Sequence, residues 1–136
     1  GLKKVLILLK KTLDYMERKR GFDMSANYEF RICQDNGYVF RLYPNNNKGQ
    51  MIGESIAYDT EKECRLALVA FRSIVKQHNI KLHIEEKNDE SKYYPYLENE
   101  GKTVFFRPNG YDEKNQCDSW IKRICNNIEA ELKSSD

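Results

Sequence analysis

Histidine is nearly missing from this chain: of 136 residues only His78 and His83 are of that type. The four cysteines, Cys33, Cys64, Cys117 and Cys125, form no C-x-x-C pair. Zinc sites of the usual ligand spacing are thereby excluded. No apolar run approaches the roughly 20 residues that a membrane-spanning helix needs. The sequence has no glycine-rich phosphate loop, dinucleotide fingerprint, nucleophile elbow or metalloprotease helix. It also has no low-complexity tract. The enzyme classes that announce themselves by motif are absent, so we expect no cofactor, no metal and no catalytic residue.

Excess charge of one sign is lacking too. The formal net charge is +2, which says little about partners. Mean hydropathy is low, at −0.80, yet aromatic residues make up 12% of the chain. That combination describes a folded domain with an aromatic core rather than a disordered segment.

What the chain does have is one phrase said twice. Tyr58-Asp59-Thr60-Glu61-Lys62-Glu63-Cys64 is matched, 53 residues on, by Tyr111-Asp112-Glu113-Lys114-Asn115-Gln116-Cys117. Past each cysteine the apolar residues fall at offsets 0, 3, 4, 7 and 11: Cys64, Ala67, Leu68, Phe71, Val75, and Cys117, Trp120, Ile121, Ile124, Ile128. That is one face of an α-helix, written twice. Asp59 or Thr60 is placed to cap the first helix, Thr60 with Glu63 has capping-box spacing, and Asp112 is the matching cap in the second copy.

Upstream of each helix the period drops to two. Tyr28, Phe30 and Ile32 alternate with polar residues, as do Tyr38, Phe40 and Leu42 after a turn at Asn36-Gly37. A second turn at Asn45–Gly49 leads to a short strand at Gln50–Ser55. The second copy alternates at Leu82 and Ile84, at Tyr94 and Tyr96, and at Val104 and Phe106. Pro95 places its strand at an edge or a bulge. Each half therefore reads β-β-β-α, and neither is large enough to bury a core alone.

Gly49-Gln50-Met51-Ile52-Gly53-Glu54-Ser55, followed by Tyr58, Thr60, Cys64 and Ala67, resembles the YegP-like family of small domains. The resemblance covers roughly residues 27 to 133. It implies two copies of one unit sharing a single antiparallel sheet backed by two helices, and it brings no catalytic residues. The second copy departs from the pattern: Phe106-Arg107-Pro108-Asn109 replaces the serine-containing strand end, and Glu113 replaces Ser/Thr.

The predicted fold is α+β: tandem β-β-β-α repeats in one antiparallel sheet, two helices on one face, and an N-terminal amphipathic helix. Residues 1–26 form that helix and a linker, 27–79 the first repeat and 80–136 the second. Residues 1–20 hold seven Lys or Arg against Asp14 and Glu17, around a stripe of Leu2, Val5, Leu6, Leu9, Leu13 and Met16. The first residue is Gly rather than Met, which leaves open a preceding segment or a removed leader. A cytoplasmic location is expected.

Candidate contact residues follow from strand parity. If helices cover one sheet face, Tyr43, Tyr93 and Phe105 point the other way, beside Arg31 and Arg41. Lys3, Lys4, Lys10 and Lys11 of the basic helix are a second candidate surface. Three readings stand: an interaction module that binds a protein partner or itself, a nucleic-acid binder using sheet aromatics and cations, and a small-molecule site at the repeat interface. Cys64 and Cys117 are read as buried thiols, with a disulfide between them left open. His78 is read as sitting at a helix C-terminus, and His83 as pointing off the core face.

Overall fold

The structure, a computed structural model, describes residues 28–45 and 50–133. The predicted basic helix, with Lys3, Lys4, Lys10 and Lys11, lies outside the described residues. Strands β1 (Tyr28–Gln34), β2 (Tyr38–Pro44) and β3 (Gly53–Ser55) precede helix α1 (Glu61–Lys76). Strands β4 (Lys81–Lys87), β5 (Lys92–Asn99) and β6 (Lys102–Phe106) precede helix α2 (Asn115–Asn126), and β7 (Glu131–Lys133) follows. Among the described residues these seven strands form one sheet in the order β4-β5-β6-β3-β2-β1-β7.

The sheet is mixed, not antiparallel throughout as the sequence led us to expect. Six strands pair antiparallel, but β7 runs parallel to β1, with Phe30 opposite Leu132. β7 was not expected because it follows the second helix, outside the β-β-β-α unit that the sequence repeats.

The helix stripe is buried as its spacing requires. Cys64, Leu68, Phe71 and Val75 of α1 enter one core with Trp120, Ile121, Ile124 and Cys125 of α2. Phe30, Phe40, Leu42, Leu97 and Phe105 meet them from the sheet. The rings of Phe71 and Phe105 stack with centroids 4.9 Å apart, and Phe105 stacks in turn on Trp120 at 6.2 Å. All four cysteines are free. Ile128 is fully buried but lies beyond the helix, which ends at Asn126 with Asn127 as its C-cap. The second stripe was therefore read one turn too long.

The two helices are entered differently: α1 has a side-chain cap at Thr60, whereas α2 starts from Lys114, which makes no side-chain cap. The Thr60 hydroxyl accepts from the Glu63 N–H at 3.1 Å. At α2 the Gln116 side chain accepts from the Glu113 N–H at 2.9 Å instead. Asp112, expected as the cap, is bonded to Lys92.

Strand parity in the second half differs from the expected one. Leu82 pairs with Leu97, and Leu97 with Phe105. This row faces the helices, because Leu97 and Phe105 are both fully buried. Tyr93 and Pro95 share that parity. Tyr94, Tyr96 and Phe106 therefore face away from the helices, whereas Phe105 and Tyr93 do not. Pro95 is neither at an edge nor at the bulge, which lies between Leu97 and Glu98. Its carbonyl accepts from the Arg107 N–H at 3.1 Å, so its side of the backbone faces β6 one residue past the end of that strand. A missing N–H costs no ladder bond there.

Candidate functional site

The sheet face away from the helices divides into two regions of different chemistry. Over β1 to β3 it is occupied by paired charges. Arg31 is bonded to Glu29 and lies over the Tyr43 ring, 4.8 Å from its centroid. Arg41 Nε meets Glu54 at 2.8 Å and its Nη2 meets Asp35 at 2.9 Å. Partial burial works to lower the Arg41 pKa, but hydrogen bonds to Glu54 and Tyr43 outweigh it and leave the guanidinium held more firmly charged.

Over β4 to β6 the face carries rings. Tyr94 and Tyr96 of β5 and Phe106 of β6 line an open groove of about 510 Å³, with Glu85, Lys87, Glu98 and Arg107 around it. Alternation places the two tyrosines on this side, and the pairing of Tyr96 with Phe106 sets the third ring beside them. His83 stacks on Tyr96 with centroids 5.2 Å apart. Its Nε2 lies 3.0 Å from the Glu98 carboxylate without the geometry of a hydrogen bond. The Lys87 ammonium sits 4.5 Å from the Tyr94 ring centre. The Tyr94 hydroxyl donates to Glu90, which raises its pKa.

Of the residues singled out from sequence, Arg31, Arg41 and Tyr43 share the charged half of this face. Phe105 is a core residue at 0% exposure, and Tyr93 lies on the helix side, where its N–H and C=O exchange bonds with Tyr111. His83 does point off the core face. Sequence reasoning missed Tyr94, Tyr96 and Phe106 as residues of the outer face. The signal that finds them is Leu97: the one aliphatic side chain of β5 besides Pro95, among six polar or aromatic residues, marks the buried parity.

The buried thiols have no part in the groove. Burial pushes Cys64 and Cys117 up to about 11 and Cys125 up to about 12. Among the described residues no group of three His, Cys, Asp or Glu side chains is arranged to hold a metal ion. No described helix is long and apolar enough to cross a membrane.

Two solved structures superpose on the chain. One is yegP from E. coli, a protein of unknown function, at a TM-score of 0.64 and 18% identity, covering 80% of this chain and 93% of that one. The chain has the YegP fold. A UPF0339 protein from Shewanella oneidensis shares it, at a TM-score of 0.62 and 13% identity over 79% of this chain and 91% of that one. No protein-family model and no curated protein matches the chain. Within the YegP fold, the tyrosines of the doubled phrase close matching bridges: Tyr58 exchanges two backbone bonds with Tyr38, and Tyr111 exchanges two with Tyr93.

Proposed function

We propose that this chain is a non-catalytic interaction module, built from two copies of one unit, that binds a protein partner through the ring-bearing half of its outer sheet face. The observation that carries this reading is the grouping of Tyr94, Tyr96 and Phe106 in one open groove, bordered by both signs of charge. Tyrosine and phenylalanine rings contribute large contact areas at low entropic cost, and aromatic residues with arginine dominate protein interfaces. The matching Tyr38–Tyr58 and Tyr93–Tyr111 bridges support the duplication.

A nucleic-acid partner is less well served by the same face. Backbone binding needs cations free to replace counterions. Arg31 and Arg41 are instead committed to Glu29, Glu54 and Asp35. Glu85 and Glu98 border the groove itself.

A photo-crosslinking residue at Tyr96, compared with one at Leu66 on the exposed side of α1, tests the proposal in cells of the source organism. The expected result is a discrete protein adduct from Tyr96, unchanged by nuclease and absent from Leu66. Adducts that vanish with nuclease favour the nucleic-acid reading. Equal adducts at both positions would remove the sheet face from consideration.

A further inference from the structure

The outer edge of the sheet at β4 raises a separate question. β4 pairs with β5 along its whole length, from Lys81 opposite Glu98 to Lys87 opposite Lys92. Among the described residues its other side has no strand partner. Edges are normally blunted by shortness, proline or a bulge. β4 is seven residues long, Lys-Leu-His-Ile-Glu-Glu-Lys, with no proline and no register shift against β5. Its remaining protection is charge, and the order of those charges permits one self-pairing.

Two copies of β4 laid antiparallel about a twofold axis must keep odd residues opposite odd ones and even opposite even, or the faces are exchanged. Three central registers satisfy this. Centred on Glu85, that residue meets its own copy and Ile84 meets Glu86. Centred on Ile84, Lys81 meets Lys87 and Leu82 meets Glu86. Centred on His83, Lys81 meets Glu85 twice and Leu82 meets Ile84 twice. This third register places opposite charges together on the outer face and aliphatic side chains together on the helix face. Each His83 is drawn toward its own β5 by the Tyr96 ring and Glu98, which leaves the axis uncrowded. Lys81 and Glu85 are exposed, and four residues apart along one strand, about 13 Å, they cannot pair with each other within the chain.

The helices leave room for the pairing. α2 packs against β5. Two such helices would stand about 14 Å apart, across three strand spacings of about 4.8 Å. Packed helices need about 8–10 Å.

We propose that the chain forms a reversible twofold dimer by antiparallel addition of β4 to β4 of a second copy, in the register that sets Lys81 against Glu85. Sedimentation velocity on the full chain across a concentration series tests this, with circular dichroism as a check on folding. The wild type is expected to show a monomer–dimer equilibrium. Lys81→Glu turns both attractive pairs into repulsive ones and should weaken the dimer at least about tenfold. Adding Glu85→Lys to Lys81→Glu should restore it. A wild type that stays monomeric up to millimolar concentration overturns the proposal. So does a dimer indifferent to Lys81→Glu, or not rescued by the double exchange. Strengthening by Lys81→Glu would assign the Ile84-centred register and overturn this one.

Discussion

At the scale of single residues, one exchange between the two halves explains two oddities of the sequence together. Ser55 is buried; its hydroxyl accepts from the Phe40 N–H at 2.9 Å and donates to the Ile56 carbonyl at 2.8 Å. In the second half, Pro95 stands where Phe40 stands, two residues past a bridging tyrosine, and Arg107 stands across from it. Proline offers no N–H, so no hydroxyl is required, and the serine is gone. The absence of serine at Arg107-Pro108 and the presence of Pro95 inside a strand are thus one fact. Ser55→Ala, measured by urea denaturation, should cost about 1–3 kcal/mol, because it leaves a buried donor unsatisfied.

The thiols give a second prediction at this scale. Their folded pKa values lie above the ordinary value near 9, so the folded state holds its protons more tightly than the unfolded chain. Their contribution is fully present below about pH 9 and falls as pH rises toward about 11 to 12. Stability should decline over that window, and Cys125→Ala should make the decline shallower in denaturation curves taken at successive pH values.

At the scale of elements, what was legible followed from the length of the pattern. Both helices and six strands were foreseen: the helices and five strands show their period, and β3, only three residues long, was placed by the turn before it and by the YegP-like Gly49–Ser55 stretch. β7 was not, since it follows the second helix and lies outside the repeated β-β-β-α unit, and the second helix was overextended because Ile128 falls on the stripe by coincidence of spacing. The outer face was half legible. In β1 and β2, Phe30, Ile32, Phe40 and Leu42 fix the parity, and Arg31, Arg41 and Tyr43 were placed correctly on the far side. In β5 and β6 aromatic residues occupy both parities, so hydrophobicity does not distinguish them and the groove went unseen. The capping difference is open to test. Thr60→Ala removes the hydroxyl that caps α1 and should lower stability by about 0.5–2 kcal/mol in thermal melts, a loss with no counterpart at α2, where no side chain caps the helix.

At the scale of the whole molecule, the two halves are joined by more than a shared sheet. β3 and β6 meet in the middle, with Glu54 opposite Phe106. Gly53 permits this approach, since a Cβ there would come within 2.6 Å of the Phe105 ring. The Trp120 indole N–H of α2 donates to the Ile52 carbonyl at 2.7 Å, reaching from the second half into the first. Trp120→Phe keeps a ring but orphans that carbonyl. It should lower stability by about 1–3 kcal/mol while unfolding remains a single transition by fluorescence of the tyrosines and by circular dichroism. Separate transitions would show that the halves are independent.

The pairing of β7 with β1 spans about 100 residues of chain. Synthesis at about 5–20 residues per second therefore holds β1 with a bare edge for roughly 5–20 s after it emerges. Two further ties arrive with β7: the Arg72 guanidinium donates to the Ala130 carbonyl at 2.6 Å, and Lys76 pairs with Glu129. Among the described strands, the sheet closes last at the one made first. On the ribosome the nascent protein is a domain with an open seam, and that seam is where a chaperone, or a neighbouring nascent copy, would find it.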